Sequence, residues 1–392
     1  MTDSINHTHQ RILILSVSAG AGHARAAEAI KAQAAITYPE SVVVHWDAMD
    51  FVTAGFRKIY TDFYIKLVNH APALWGYLYH RSNDAKPDST LEKLRRQLER
   101  WNATALVRAI QEFEADAIIC THFLPAEMLS RLLASQRVEC PISVVVTDFD
   151  LHRMWVHQGI SRYFAASHEV AFRMQQYGIP LECIKITGIP IMPSFGHRWD
   201  RFACCTELKL DPQRHVVMLM GGGAGLGNMT RLAERILHMR TMESDVSSFQ
   251  LIVLTGKNVE ALESLQALER EFPDRLRPIG FRSDVERLMA CADLIITKPG
   301  GLTSSECLAM GLPMIVNAPI PGQEERNADY VIENGAGLKA VDGLALEFRL
   351  QQLLSNPVRL AAMQKRAREL GRADAARCVI GDVMLQLRSH SI

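Results

Sequence analysis

Three polar side chains in the second half of the sequence could bind a ligand rich in hydroxyl groups. Glu306 lies five residues after the Lys-Pro-Gly-Gly sequence at residues 298–301, and Gln323 and Glu324 follow a further apolar stretch. A carboxylate can accept two hydrogen bonds from a vicinal diol, and an amide beside a carboxylate can bind several hydroxyl groups. The pattern predicts either a site for ribose or a sugar, or an ordinary βαβ unit that ends in a polar loop.

The surrounding stretch, residues 292–327, predicts the elements that would position these side chains. Apolar residues 294–297 predict a buried parallel strand, and residues 314–316 predict the next strand. Residues 319–327 are expected to form a loop at the carboxyl end of that second strand, which is where open α/β sheets bind ligands.

A helix is expected between these two strands. The hydroxyl side chains at residues 303–305 predict its N-cap, with Glu306 in the first turn. Gly311 is expected to end the helix, because a glycine readily adopts the left-handed conformation found after a helix C-terminus.

A histidine ends a turn of small residues near the start of the chain. Residues 11–17 predict a strand, a helix is expected over about residues 24–35, and residues 18–22 connect them. Small residues let a ligand approach the backbone and the helix N-terminus closely. The turn fits neither the dinucleotide-binding nor the P-loop pattern. The imidazole of His23 could take a proton from a hydroxyl group, or it could simply cap the helix or lie on the surface.

A glycine run opens the second half of the chain. Residues 215–220 predict a strand, and five of the next seven residues, 221–227, are glycine. Backbone N–H groups and the positive end of a helix dipole bind phosphate, whereas a simple tight turn would not need so many glycines. The run therefore predicts a phosphate site that needs no metal ion, because amides and the helix dipole can stabilise a leaving group's charge.

The segment 51–108 combines aromatic and basic residues. Eight of the chain's 27 aromatic residues lie within 51–80, and residues 51–108 contain ten Lys or Arg against five Asp or Glu. A net positive, aromatic segment suits an anionic membrane surface. The alternative is a helical insert that packs on its own domain and exposes a solvated basic face.

Composition limits the remaining possibilities. A chain of 392 residues predicts two domains, and a formal net charge of zero argues against general nucleic-acid binding. Eight cysteines without a CxxC spacing predict reduced, buried thiols in a cytoplasmic protein. The first ten residues are polar and no apolar run reaches about 18 residues, so we expect neither a signal peptide nor a membrane-spanning segment. His152 and His157 lie five residues apart without further ligands nearby, so we expect no metal site.

The alternation of strands and helices predicts an α/β fold of two doubly wound, Rossmann-like domains that face each other across a cleft. We expect an N-terminal domain over residues 1–198 and a C-terminal domain over residues 199–372. The final helix, residues 373–392, is expected to pack back on the N-terminal domain.

The motifs resemble one family over most of residues 11–330. Residues 300–306, the turn ending in His23 and residues 147–157 (TDFDLHRMWVH) are similar to segments of GT-B glycosyltransferases. The similarity is to the group of monogalactosyldiacylglycerol synthases and processive diacylglycerol glucosyltransferases, which is related to glycosyltransferase family 28. In one departure, Ala21 replaces the middle glycine of the family's GGGH turn.

The resemblance implies roles for individual residues. His23 would be the general base, and Asp148 would orient it or bind the acceptor. Glu306 would hold the ribose hydroxyls, and Gln323 with Glu324 would hold the sugar. The implied donor-binding residues are Gly221, Gly222, Gly223, Gly225, Phe281 (through its backbone), Lys298, Gly300, Gly301, Thr303, Glu306, Gln323 and Glu324. The implied acceptor-binding residues are Gly22, His122, His152 and Trp155.

The implied function is inverting transfer of a hexose from UDP-glucose or UDP-galactose to diacylglycerol, without a metal or other cofactor. The enzyme would be cytoplasmic and would bind the inner face of the cell membrane through residues 51–108. Two alternatives remain open. The acceptor could be another lipid, such as a polyprenyl diphosphate-linked sugar, or the protein could bind a UDP-sugar without catalysis. A two-domain nucleotide-sugar epimerase is disfavoured by residues 147–157.

Overall fold

The computed structural model describes residues 10–18, 20–53, 55, 104–221, 229–239, 249–317 and 319–390. The chain divides into two compact units. Unit 1 comprises residues 1–193 together with residues 374–392, and unit 2 comprises residues 194–373. Each unit contains a six-stranded sheet, so the prediction of two doubly wound α/β domains is confirmed.

Twelve strands are described in the two sheets, and their neighbours pair in parallel. Unit 1 contains β1 (Arg11–Ser16), β2 (Val42–Asp47), β3 (Ala117–Cys120), β4 (Ile142–Val145), β5 (Arg162–Ala165) and β6 (Ile184–Ile186). Unit 2 contains β7 (Val216–Met220), β8 (Gln250–Gly256), β9 (Leu276–Gly280), β10 (Leu294–Thr297), β11 (Met314–Asn317) and β12 (Gly337–Ala340).

Helices connect the strands in both units. In chain order they are α1 (Ala21–Thr37), α2 (Thr104–Phe113), α3 (Phe123–Ala134), α4 (His168–Gln176), α5 (Arg201–Glu207), α6 (Met229–Leu237), α7 (Val259–Glu269), α8 (Val285–Cys291), α9 (Gly301–Ala309), α10 (Gln323–Glu333), α11 (Gly343–Leu354), α12 (Pro357–Leu370) and α13 (Ala375–His390). Short 3₁₀ helices lie at Ala48–Phe51, Arg153–Trp155, Leu181–Cys183 and Pro193–Gly196. Within these described elements, no helix has the length and apolarity needed to cross a membrane.

The order of the strands creates one switch point in each sheet. The order is β2-β1-β3-β4-β5-β6 in unit 1 and β12-β11-β10-β7-β8-β9 in unit 2. The direction of winding therefore reverses between β1 and β3, and again between β7 and β10. Loops that leave neighbouring strands at such a point turn to opposite sides and open a crevice at the carboxyl ends.

Apolar runs explain why the central strands form. Every residue of β3, β4 and β10 is buried, as expected for parallel strands that are covered by helices on both faces. In unit 1 the core extends from Ile12 and Ile14 on β1 to Val379 and Val383 on α13. The C-terminal helix thus supplies part of this unit's hydrophobic core.

Helix α1 begins earlier than the sequence pattern predicts. Gly20 is its N-cap and has a φ of +109°, a value that glycine adopts without steric cost. The left-handed turn brings the chain into the helix at Ala21 rather than near residue 24. Gly22 and His23 consequently lie in the first helical turn and not in the connecting loop.

The predicted side-chain cap of α9 is wrong. The N-cap is Gly300, and the hydroxyl residues at 303–305 lie inside the helix, with Glu306 in its second turn. Ser305 donates its hydroxyl hydrogen to the carbonyl of Gly301 at 2.9 Å, which satisfies this buried group within the helix. The predicted end is confirmed, because Gly311 follows the C-cap with a φ of +68°.

The loop predicted over residues 319–327 is also wrong, because α10 begins within it at Gln323. Gly322 is the N-cap with a φ of +96°, and its N–H group donates to Oε2 of Glu325 at 3.2 Å. Acidic residues in the first turn favour a helix N-terminus through the helix dipole. Gln323 and Glu324 are therefore held on the first turn of a helix.

One buried carboxylate ties α13 to the sheet of unit 1. Asp382 is buried, with its oxygens 2.8 Å from Nε of Arg162 and 2.6 Å from Nζ of Lys185. Gln386 donates a third contact from Nε2 at 3.0 Å. Because Arg162 is the first residue of β5 and Lys185 is the middle residue of β6, these contacts fix the last helix against that edge of the sheet.

We expect Asp382→Ala to lower the free energy of unfolding of unit 1 by about 2–3 kcal/mol, because it leaves two cations beside an empty buried position. The matched control is Glu28→Ala on α1, whose carboxylate pairs with Arg25 while both side chains are about half exposed. That change should cost less than about 0.5 kcal/mol. Urea unfolding followed by circular dichroism measures both, and equal effects would contradict the assignment.

Candidate functional site

His23 lies at the switch point of unit 1. Its Nδ1 atom is 3.0 Å from the carbonyl oxygen of Thr121 and 2.8 Å from Oγ1 of Thr147. A carbonyl oxygen can only accept, so the bond to Thr121 requires Nδ1 to carry a hydrogen. In the neutral ring the lone pair then lies on Nε2, and this atom is the one that can take a proton.

The surroundings of His23 keep its ring neutral. Burial lowers its pKa from 6.5 to about 4, and the hydrogen bond to the Thr121 carbonyl offsets only part of that effect. The pKa of His122 is also lowered, first by burial and then by repulsion from His23. Two adjacent imidazoles thus stay uncharged near neutral pH, which is the state that a proton acceptor needs.

Thr121 also fixes the backbone around His23. Its hydroxyl donates to the carbonyl oxygen of His23 at 2.9 Å, and its N–H group donates to Leu15 at the end of β1. Thr121 and Thr147 were not among the predicted site residues. The available signal was position, because Thr121 directly follows β3 and Thr147 lies two residues after β4, and these strands neighbour each other in the sheet.

Aromatic rings surround the imidazole. The ring of His122 meets His23 edge to face with centroids 4.5 Å apart, and Trp155 lies 6.0 Å from His23. Phe123 stacks beside His122 at 4.1 Å and lies 5.8 Å from Trp155. The structure thus brings together three of the predicted residues, and these uncharged rings exclude water from His23.

Two further histidines act as caps. Nδ1 of His122 accepts a hydrogen bond from the N–H group of Leu124 at 3.1 Å, at the start of α3. Nδ1 of His152 accepts from the N–H group of Met154, also at 3.1 Å. When neutral, both rings therefore carry their hydrogen on Nε2, which makes that atom a donor.

The other residues predicted for unit 1 lie nearby in the fold, and their roles stay predictions. Asp148 is buried and directly follows Thr147, while the described bonds that orient His23 come from Thr121 and Thr147. Gly22 immediately precedes His23 on α1. Within the described part of the chain, no group of three or more His, Cys, Asp or Glu residues could hold a metal ion.

The predicted donor residues of unit 2 lie at the carboxyl ends of its strands. Gly221 follows β7 and Lys298 follows β10, on either side of the switch point. The predicted Gly222, Gly223 and Gly225 lie outside the described residues.

Helix α9 presents its N-terminus at the same switch point. Its N-cap, Gly300, has no side chain to bond the backbone N–H groups of the first turn, which contains Gly301 and Thr303. Unbonded N–H groups at a helix N-terminus favour an anion such as a phosphate. Glu306 lies one turn further along and is partly exposed.

The first turn of α10 lies near Lys298. Oε2 of Glu324 accepts a hydrogen bond from the N–H group of Ile320 at 2.7 Å. Burial raises the pKa of Glu324, and the bond from Ile320 and the charge of Lys298 partly offset the rise. Lys298 after β10 and Glu324 after β11 are thus close enough to interact, and Gln323 precedes Glu324 on the same turn.

Phe281 follows β9, at the far edge of the sheet. Its side chain is 66% exposed, and Nζ of Lys257 lies 5.6 Å from the centre of the ring. The prediction for this position concerned only the backbone. The structure adds an exposed aromatic face with a cation beside it, a combination that can stack against a planar ring.

Comparisons with known proteins agree on a family. The family model "Monogalactosyldiacylglycerol (MGDG) synthase" matches residues 23–191, and "Glycosyltransferase family 28 C-terminal domain" matches residues 216–379. A processive diacylglycerol beta-glucosyltransferase of Bacillus subtilis is 27% identical over 383 residues, which cover 96% of each chain. The corresponding protein of Bacillus pumilus is 28% identical over 388 residues, covering 97% of this chain and 96% of that relative.

Solved structures support the same architecture. MurG of Acinetobacter baumannii aligns with a TM-score of 0.58 and 15% identity over 96% of this chain and 99% of that chain. MnaA of Staphylococcus aureus, solved with UDP, aligns with a TM-score of 0.60 and 14% identity over 97% of both chains. At these identities the likeness shows the fold, which is GT-B. The two family models and the relatives aligned over nearly the whole chain show that it belongs to the glycosyltransferase family of monogalactosyldiacylglycerol synthases and processive diacylglycerol glucosyltransferases, and that it is a UDP-sugar-dependent hexosyltransferase.

Proposed function

We propose that this enzyme transfers glucose from UDP-glucose to the hydroxyl group of diacylglycerol with inversion at the anomeric carbon. The observation that carries the proposal is the bond between Nδ1 of His23 and the carbonyl of Thr121, which places the ring's lone pair on Nε2. A neutral imidazole with that lone pair can accept the proton of an alcohol. A protein that only bound a UDP-sugar would have no use for such a group.

The relatives suggest the donor, the acceptor and the stereochemistry. The Bacillus proteins that align over nearly the whole chain are named processive diacylglycerol beta-glucosyltransferases. A beta-glucoside formed from the alpha-linked sugar of UDP-glucose requires inversion. UDP-galactose is the competing donor, because the N-terminal half matches the family model of monogalactosyldiacylglycerol synthase.

In the proposed reaction, the acceptor hydroxyl gives its proton to Nε2 of His23 as its oxygen attacks the anomeric carbon. The new carbon–oxygen bond forms while the bond from that carbon to the diphosphate breaks. The bonding pair leaves with UDP, and the imidazolium later loses its proton to solvent. The N-terminus of α9 and the glycine run after β7 would stabilise the departing diphosphate, so the step needs no metal ion.

The other predicted roles follow from this reaction. Glu306 would bind the ribose hydroxyls, while Gln323 and Glu324 would bind the hydroxyls of the hexose. His122 and Trp155 would line the acceptor site beside His23. The segment 51–108 would hold the enzyme on the cytoplasmic face of an anionic membrane, and most of it lies outside the described residues.

Product analysis tests the function directly. Purified protein is incubated with diacylglycerol-containing liposomes and either UDP-glucose or UDP-galactose, with EDTA present, and the lipids are examined by mass spectrometry. We expect a hexosyl-diacylglycerol from UDP-glucose. Product from UDP-galactose alone would show that the donor is UDP-galactose. Product that is formed without EDTA and lost when EDTA is added would contradict a metal-free reaction. No glycolipid from either donor would contradict diacylglycerol as the acceptor.

The pH dependence of the reaction tests the role of His23. The base works when neutral, and burial lowers its pKa to about 4. We therefore expect kcat/KM to fall as the pH decreases through about 4, and to stay level near pH 6.5, where an ordinary histidine would titrate. Initial rates from pH 3.5 to 8 measure this, and a return to pH 7 after each exposure separates titration from unfolding.

Two histidine variants accompany this profile: His23→Ala tests the base, and His168→Ala is its control. His23→Ala should reduce turnover by about 100-fold or more while UDP affinity stays within about twofold. His168→Ala removes an exposed histidine of unit 1 and should leave the profile unchanged. Transfer by His23→Ala within a few-fold of the unsubstituted enzyme would show that another group is the base.

Glu306→Ala tests the donor site of unit 2. Loss of the carboxylate removes two acceptors for the ribose diol, so we expect UDP to bind about 10- to 100-fold more weakly by isothermal titration calorimetry. Glu306→Gln keeps one acceptor oxygen, so its UDP affinity should lie between those of Glu306→Ala and the unsubstituted protein. Unchanged UDP affinity in Glu306→Ala would remove the ribose role from this residue.

A further inference from the structure

Helix α11 is apolar on two opposite faces. One face packs in the core of unit 2, where Leu346, Leu350 and Leu353 are completely buried. On the other face, the side chains of Leu344 and Phe348 are 69% and 58% exposed. Successive residues of a helix are about 100° apart, so Leu344 and Phe348 share a face that is opposite the core.

Among the described residues of unit 2, this second apolar face is left largely exposed. A helix on the surface of a soluble domain usually has one apolar stripe and a polar opposite face, whereas a helix that is apolar on both faces is covered on both. Val341, directly before the N-cap of α11, extends the exposed surface with a side chain that is 77% accessible. We call Val341, Leu344 and Phe348 the α11 patch.

The α11 patch lies at the functional end of the sheet. Only two residues separate the end of β12 from the start of α11, so the first turn of α11 is at the carboxyl ends of the strands. Strand β12 pairs with β11, which leads to Gln323 and Glu324. The patch is therefore at the same edge of unit 2 as the predicted donor residues.

The charges around the α11 patch favour an anionic partner. The guanidinium of Arg349 lies 5.5 Å from the ring centre of Phe348, and Lys339 is exposed on β12. Of the two neighbouring carboxylates, Glu347 pairs with Arg235, while Asp342 accepts from the N–H group of Ala345 at 2.7 Å and keeps its charge, so the two cations outnumber one carboxylate. Large apolar side chains flanked by cations are typical of surfaces that enter the headgroup region of a membrane.

We propose that the α11 patch docks unit 2 on an anionic lipid bilayer, with Leu344 and Phe348 in the interface and Arg349 and Lys339 beside the lipid phosphates. The choice of a bilayer rests on the proposed function, because an acceptor such as diacylglycerol is dissolved in a membrane. The contact belongs to the unit that carries the donor residues and is additional to segment 51–108.

Vesicle binding tests this surface. The double variant Leu344→Ser/Phe348→Ser is compared with the unsubstituted full chain by co-sedimentation with vesicles of phosphatidylcholine and phosphatidylglycerol. We expect the double variant to bind about 10- to 100-fold more weakly, because two large side chains no longer leave water. Both side chains are exposed, so circular dichroism and UDP affinity should not change.

Val358→Ser is the matched control. Val358 is 79% exposed in the first turn of α12, and it is separated from the patch by the second half of α11, residues 349–354. Its vesicle affinity should stay within about twofold of the unsubstituted protein. Equal weakening by Val358→Ser would show a general effect of surface apolarity and would overturn the assignment to α11.

Two other outcomes would also overturn the inference. Vesicle binding by the double variant equal to that of the unsubstituted protein would exclude a bilayer as the partner. If light scattering then showed a dimer that the double variant converts to a monomer, a second copy of the chain would cover the patch.

Transfer to a short-chain diacylglycerol in detergent micelles separates this inference from the proposed function. If the unsubstituted protein transfers no sugar but its vesicle binding depends on the patch, diacylglycerol is not the acceptor and the docking surface is supported. If transfer proceeds but the patch variants bind vesicles as well as the unsubstituted protein does, the docking surface is rejected and the proposed function is supported.

Discussion

The hydrogen bond from Nδ1 of His23 to the carbonyl of Thr121 is the interaction on which the site in unit 1 depends. It determines which ring nitrogen holds the lone pair, and it requires β1 and β3 to be neighbours. Strand order supplies that condition, because the chain returns to the far side of β1 after forming β2. The bonds from Thr121 to Leu15 and to the backbone of His23 then hold the two strand ends together.

The desolvation of His23 has an energetic consequence for catalysis. A pKa lowered from 6.5 to about 4 means that charging the ring costs about 3 kcal/mol more than it would in water. Burial beside the uncharged rings of His122 and Trp155 therefore favours the neutral base before reaction and disfavours the imidazolium that forms during it. In the proposed mechanism, the negative charge that develops on the departing diphosphate would offset this cost, so proton transfer and departure of UDP would be coupled.

The sequence predicts the core strands well and the glycine-capped helices poorly. β10 matches the predicted residues because a buried parallel strand is a continuous apolar run. α9 and α10 start from Gly300 and Gly322, where backbone conformation rather than a capping side chain begins the helix. His23 can be identified from its turn, but Thr121 and Thr147, 98 and 124 residues further along the chain, become its partners only through the order of the strands.

The same limit explains why the α11 patch is invisible in the sequence. Leu344, Leu346, Phe348 and Leu350 alternate with other residues, and all four are equally plausible core residues until the packing of the helix is known. Packing assigns Leu346 and Leu350 to the core and leaves Leu344 and Phe348 in water, a cost that evolution of a soluble domain would ordinarily remove. For a hexosyltransferase whose acceptor stays in a bilayer, exposed apolar side chains on the donor-binding unit can be useful. If they hold that unit on the lipid surface, the sugar is delivered at the depth where the acceptor hydroxyl lies.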